Sequence, residues 1–153
     1  MRIKAIVGMT LIIMSITINK QVFSEDILSI NELKGEKKWI ELKNLLIKVK
    51  YWGSPPSKKY KFLPDGKVLA YGYTVKEEFT KIGEWNVNVK KQYFYFKRPK
   101  VYIEGFYEGT YRSFVIKCYD VNDRQECQIM FYKKKGIENI VEDEEPDLIL
   151  FMW

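Results

Sequence analysis

Two spacings of apolar residues divide the chain near residue 47. Before it, in "LSINELKGEKKWIELKNLLIKVKYW", Trp39, Leu42, Leu45 and Leu46 recur every three or four positions, as one face of a helix requires. Ser29 and Glu32 stand in the arrangement of a capping box, where the hydroxyl accepts from the backbone near the glutamate and the carboxylate reaches back. Gly35 interrupts the pattern. One or two short helices are therefore predicted, with a first strand beginning around Ile47.

After that point the pattern alternates. In "YKFLPDGKVLA", Pro64, Asp65 and Gly66 follow the order of a type I turn closed by a left-handed glycine, since proline presets φ and glycine tolerates φ above zero. Pairing Leu63 with Lys67 sets Phe62 opposite Val68 and Tyr60 opposite Ala70, which makes one face apolar. "KQYFYFKR" places Phe94 and Phe96 on one side, facing a core, and Tyr93 and Tyr95 on a wetter side. "GEWNVNV" puts Trp85, Val87 and Val89 on a single face, which reads first as a core tryptophan and second as a wall of a ligand cavity. Nothing after residue 47 reads as a long helix. The expected fold is mainly β: a single curled or closed antiparallel sheet of about seven or eight strands, preceded by a short N-terminal helical segment.

The cysteines sharpen the register. In "SFVIKCYDVNDRQECQIMFYKK" a two-residue turn at Asn122 and Asp123 makes Val121 and Arg124 neighbours. Cys118 then faces Cys127, Ile116 faces Ile129 and Phe114 faces Phe131, all on one side. The cysteines fall at a non-hydrogen-bonded pair, where α-carbons approach to about 4.5 Å, within reach of a disulfide. Such a bond suits an oxidising compartment, and the spacing excludes a CxxC redox pair.

Composition changes this picture at both ends. Arg2 and Lys4 precede the apolar run "AIVGMTLIIMSITI" and then "NKQVFS", with Val22 and Ser24 before a candidate cut, the three-part pattern of a secretory signal peptide. The run is shorter than the roughly 20 residues that a membrane-spanning helix needs. The mature chain is expected to begin near Glu25, as a periplasmic or secreted protein. The formal charge of +6 falls to +3 without residues 1–24, which carry Arg2, Lys4 and Lys20 and no acid. Residues 137–153 hold Glu138, Glu142, Asp143, Glu144, Glu145 and Asp147 and no base, so the tail carries −6 and the body +9. Three parts result: leader 1–24, β-domain 25–136 and tail 137–153. A basic body can be a solvated lysine surface, can draw the protein to an anionic membrane surface or glycan, or can be neutralised by its own tail. Nucleic acid is disfavoured by the export signal. The apolar end "LILFMW" is too costly to leave in water, and is expected to add a last strand at the sheet edge or to fill the open end of the curl. Its acidic neighbours would lie against Lys133 to Lys135; the competing use is a peptide that binds a partner.

Missing chemistry narrows the function. The chain has no histidine, which removes histidine triads, histidine bases and histidine-ligated zinc. Glu77 and Glu78 are adjacent, so a strand would send them to opposite faces, and the spacing of Glu104 and Glu108 is commonplace in a turn region. "EDEEPD" lacks the spacing and glycine of a calcium loop. No catalytic residue, metal or cofactor is expected.

The run of "FLPDGKV", "GEWNV" and a cysteine-containing hairpin, over roughly residues 60 to 132, resembles small secreted bacterial β-domains of calycin-like or uncharacterised type. In those a DG turn precedes a GxW strand, and the resemblance implies a small closed or curled β-domain. The aromatic surplus, with Trp52, Tyr73, Trp85, Tyr93 and Tyr95 as candidate ligand-binding residues, points to a non-catalytic binding protein for a small apolar ligand or a protein partner. An inhibitor or immunity-type protein fits the small size, basic body and disulfide equally. A small outer-membrane barrel is a further class, because Trp153, Phe151 and Ile149 match the ends of such barrels, but Leu148, Leu150 and Met152 spoil the polar alternation.

Overall fold

The computed structural model describes residues 25–52, 59–71, 79–97, 109–137 and 143–152. The expected leader, Tyr73 and the carboxylates Glu77, Glu78, Glu104 and Glu108 lie outside the described residues. Residues 25–29 are helical and lead into a 3-10 turn, Ile30–Glu32, and then a helix α1, Glu36–Lys48. Nine strands follow among the described residues: β1 (Tyr51–Trp52), β2 (Lys59–Phe62), β3 (Lys67–Tyr71), β4 (Phe79–Asn88), β5 (Tyr93–Lys97), β6 (Gly109–Tyr111), β7 (Ser113–Val121), β8 (Arg124–Tyr132) and β9 (Leu148–Met152).

Every pairing is antiparallel, and the spatial order is β6-β5-β4-β3-β2-β1-β9-β8-β7. The ladder has two parts, five strands (β2 to β6) and three (β7 to β9). They are joined by β1, two residues long, which pairs with β2 on one side and β9 on the other. No ladder connects the edges β6 and β7 among the described residues, so the sheet is not closed. The expected sheet of seven or eight strands is thus a five and a three with a narrow link.

The helical spacing is expressed in α1, where Trp39, Leu42, Leu45 and Leu46 are buried. The helix includes Ile47, the expected strand start, and runs one residue past it to Lys48; its last turn is closed by Val49 N donating to Leu45 O at 3.2 Å. The capping box does not form. Ser29 already lies in helical backbone, and its hydroxyl donates back to the Asp26 carbonyl at 2.7 Å, the local bond serine makes when it has no free N-terminus to cap. Gly35, at φ 62°, stands at the start of α1 instead.

Both hairpins have the expected register. Phe62 faces Val68 and Tyr60 faces Ala70, with Leu63 N donating to Lys67 O at 2.9 Å and Gly66 at φ 90°. Cys118 faces Cys127, and Asn122 (φ 49°) and Asp123 (φ 63°) form the left-handed pair of a type I′ turn. The cysteines are joined in a disulfide.

Aromatic rings fill the space between the two parts. Phe94 on β5 lies 4.7 Å from Phe131 on β8, ring to ring, so the inner faces of the five- and three-stranded parts meet there. Phe62 packs edge-on to Tyr51 and Phe94, Tyr111 touches Phe94 and Phe131, and Phe114 joins Phe131 to Trp39 of α1. The Tyr51 hydroxyl donates to Leu45 O at 2.9 Å, tying β1 to the helix. The edge of β7 is covered by a side chain that imitates a peptide: the Asn31 amide donates to Ile116 O at 2.6 Å and accepts from Ile116 N at 3.0 Å.

The apolar end docks, as expected, but not at an edge. β9 lies inside the ladder between β1 and β8. Leu148 and Leu150 are buried in the main core, and on the other face Ile149 is half-buried against Val115, Met130, Tyr132 and Ile137 while Phe151 is exposed. Apolar packing on both sides over Leu148–Leu150 accounts for the lack of polar alternation there. The expected contact between acidic tail and lysine side chains is replaced by a backbone contact. Asp147 Oδ2 accepts from Lys133 N at 2.7 Å, and no described acid pairs with the side chains of Lys133, Lys134 or Lys135.

Candidate functional site

The GxW triplet resolves into packing roles. A Cβ on Gly83 would meet Lys97 O at 2.7 Å and the Phe96 ring at 2.9 Å, so only glycine fits beside β5. Ile82 is the extra residue of a bulge, since Val68 pairs with Gly83 and Leu69 with Lys81. Trp85 is 5% exposed, packs edge-on to Phe62 at 5.5 Å and donates its indole N–H to Leu63 O at 2.8 Å. Its backbone N–H reaches Gly66 O at 2.9 Å. The tryptophan therefore lies over the Pro64–Gly66 turn and secures it. This is the core reading of Trp85.

The five aromatic candidates do not share a face. β4 and β5 pair Trp85 with Phe96 and Asn86 with Tyr95, so Trp85 is on the core side while Tyr93 and Tyr95, both half-buried, are on the other. Tyr93 accepts from Asn88 Nδ2 at 3.4 Å. An open groove of about 550 Å³ adjoins Tyr93, and another of about 530 Å³, between the Asp65 turn and β5, is lined by Trp85, Tyr93 and Tyr95 together. Three of the five candidates thus border one groove, although the Trp85 ring packs on the core side. Trp52 is placed by its backbone in β1, away from this pair in the ladder, and Tyr73 lies outside the described residues.

Two other features stand out. The first is the free end of the β7–β8 hairpin. Along β7 burial runs from Ser113–Ile116, buried, through Lys117 and Cys118, half-buried, to Tyr119–Val121, exposed, and β8 mirrors it. Beyond the disulfide the hairpin leaves the core, and it carries two large exposed apolar residues, Tyr119 (48%) and Val121 (42%). The second is the groove adjoining Tyr93. Its other lining residues are Trp39, Lys90, Lys91, Gln92, Arg112, Lys135 and Gly136. Neither feature was singled out by sequence reasoning. The hairpin tip could have been read from its polar turn next to Tyr119 and Val121, whereas nothing local links Arg112 with Lys90, Lys91 or Lys135.

Among the described residues no group of histidine, cysteine or carboxylate side chains is arranged to hold a metal ion, and no helix is long and apolar enough to cross a membrane. Comparison with known proteins finds no family model, no curated protein and no solved structure that matches this chain.

Proposed function

We propose that this is an exported, non-catalytic protein that binds a protein partner through the free end of its disulfide-bonded hairpin, as an inhibitor or immunity-type protein does. The observation that carries this reading is the hairpin itself. Residues 119 to 126 are exposed on both strands, and the covalent bond lies where the packing ends. A stiffened, protruding strand pair loses little freedom on binding, and exposed Tyr119 offers the rigid aromatic anchor that interfaces favour. An oxidising compartment suits the bond.

The small apolar ligand has less support. The inner faces are occupied by Tyr51, Phe62, Phe94, Tyr111, Phe114 and Phe131, all fully buried and in ring contact, and Trp85 is committed to the turn it covers. A photo-crosslinking side chain at position 121, in protein exported from a host that makes it, tests the proposal. A single crosslinked protein, lost on Tyr119→Ala, is the expected result. A co-purified lipid in native mass spectrometry, with no protein crosslink, would replace this reading with the apolar-ligand one.

A further inference from the structure

Four cations from three parts of the chain meet at the base of the β7–β8 hairpin. Lys90 and Lys91 come from the β4–β5 turn, Arg112 from the single residue between β6 and β7, and Lys135 from the turn after β8. They line the open groove of about 550 Å³ together with Gln92, Tyr93, Trp39 and Gly136, and no carboxylate is among these lining residues. Among the described residues none of the four is in an ion pair. Of the described tail acids, Asp147 is engaged with the backbone of Lys133, which does not line the groove, and none lines the groove itself.

The segments that present the cations are held in place. Lys91 N donates to Asn88 Oδ1 at 2.9 Å, and Arg112 N donates to Tyr132 O at 2.8 Å. Gln92 sits at φ 57°, a left-handed conformation that costs free energy for a residue other than glycine and persists only where the surroundings impose it. Four like charges gathered with no carboxylate among the described residues that line the groove repel one another, and an anion placed among them reverses the sign of that interaction.

We propose that this groove is a binding site for a phosphate group. Arg112 supplies a planar fork of N–H donors suited to two phosphate oxygens, and the three lysines supply mobile point charges. Gln92 and Tyr93 add neutral donors; the Tyr93 hydroxyl already accepts from Asn88, so its own proton is available. The site lies at the end of the hairpin opposite Asn122 and Asp123, about 30 Å away along nine residues of strand, and is independent of partner binding at the tip.

The test uses the purified protein and two probes. Inorganic phosphate titrated at low ionic strength is expected to move the amide resonances of Lys90 to Tyr93, Arg112 and Gly136 in a saturable way that weakens with added salt. Flotation with phosphatidylglycerol vesicles, against phosphatidylcholine vesicles, separates the two sources of the group. Strong vesicle binding with a weak response to free phosphate assigns a lipid headgroup, and the reverse assigns a soluble phosphate. Lys91→Gln with Arg112→Gln should weaken whichever probe binds by about tenfold or more, as the loss of charged hydrogen bonds implies. Lys90→Gln with Lys135→Gln repeats the test at two exposed side chains if the first pair does not fold. Lys37→Gln with Lys43→Gln, on the exposed side of α1, should leave binding unchanged. Absence of a saturable response to both probes, or an equal loss in the α1 pair, overturns the proposal.

Discussion

The two hairpins with the clearest turns are secured by opposite means. The β2–β3 turn at Pro64–Gly66 lies beneath Trp85, whose indole and backbone N–H groups donate to Leu63 and Gly66 on either side of it. The β7–β8 turn at Asn122–Asp123 has no such cover, and its exposed end begins where the Cys118–Cys127 bond sits. Where apolar surface is available the chain uses burial and hydrogen bonds. Where burial runs out it uses a covalent bond, which acts chiefly by restricting the unfolded chain.

The largest effect should come from removing the cover. Trp85→Ala is expected to cost about 3 to 5 kcal/mol, through a cavity beside Phe62 and the loss of the indole donor to Leu63 O, while the backbone N–H of residue 85 still serves Gly66 O. Chemical denaturation would measure it, and Trp85→Phe should recover part of the loss while leaving Leu63 O without its indole donor. A cost near zero would mean the turn needs no cover and would collapse the contrast.

Replacing Cys118 and Cys127 with alanine should cost less, about 2 to 3 kcal/mol at most, since the bond closes a short loop. The fold should persist. Amide exchange should quicken most at residues 119 to 126 and little at Phe114 or Phe131, because the outer half of the hairpin lacks buried contacts. Faster exchange throughout the core would show that the bond supports more than the tip.

Gly83→Ala probes the closeness of β4 to β5 behind the same turn. A methyl group there meets backbone as well as the Phe96 ring, so overpacking of about 1 to 3 kcal/mol is expected, read as a lower melting temperature.

The smallest effect concerns Asp65, whose carboxyl is held below its usual range first by the hydrogen bond from Lys67 N, against some desolvation, and then by the Lys67 ammonium at 3.3 Å. Because the folded value is depressed, this stabilisation is present above the ordinary aspartate range and disappears as pH falls through the lower folded value. Asp65→Asn should therefore lower the neutral plateau of a stability-against-pH curve slightly and leave stability below the folded value unchanged, so that the acid limb is a little flatter. An unchanged acid limb would show that the contact is too exposed to matter.

Sequence reasoning succeeded where the determinants were local. Pro64, Asp65 and Gly66 specify one turn, and two cysteines placed symmetrically about Asn122 and Asp123 specify one register, because strand pairing by twos leaves few alternatives. The buried face of α1 followed from its period. The position of β9 did not, because its partners Tyr51 and Gln128 are distant in sequence and a strand with apolar residues on both faces has no alternation to betray its neighbours. The candidate ligand residues were grouped by type. Their division between two faces depends on the pairing of Trp85 with Phe96 and Asn86 with Tyr95, which the sequence does not display. The groove was invisible for the same reason, since Arg112 reaches Lys90, Lys91 and Lys135 only through the folded ladder.

Of the nine described strands, β9 follows the other eight in chain order and is the one that joins β1 to β8. A chain synthesised as far as the β7–β8 hairpin can form its local hairpins, yet the five-stranded part has no continuous ladder to the three-stranded part until Leu148–Met152 emerges and slides between β1 and β8. Contacts of long sequence separation form late and slowly. A nascent chain would thus remain incompletely folded until β9 had emerged, and its two parts would then join in one step.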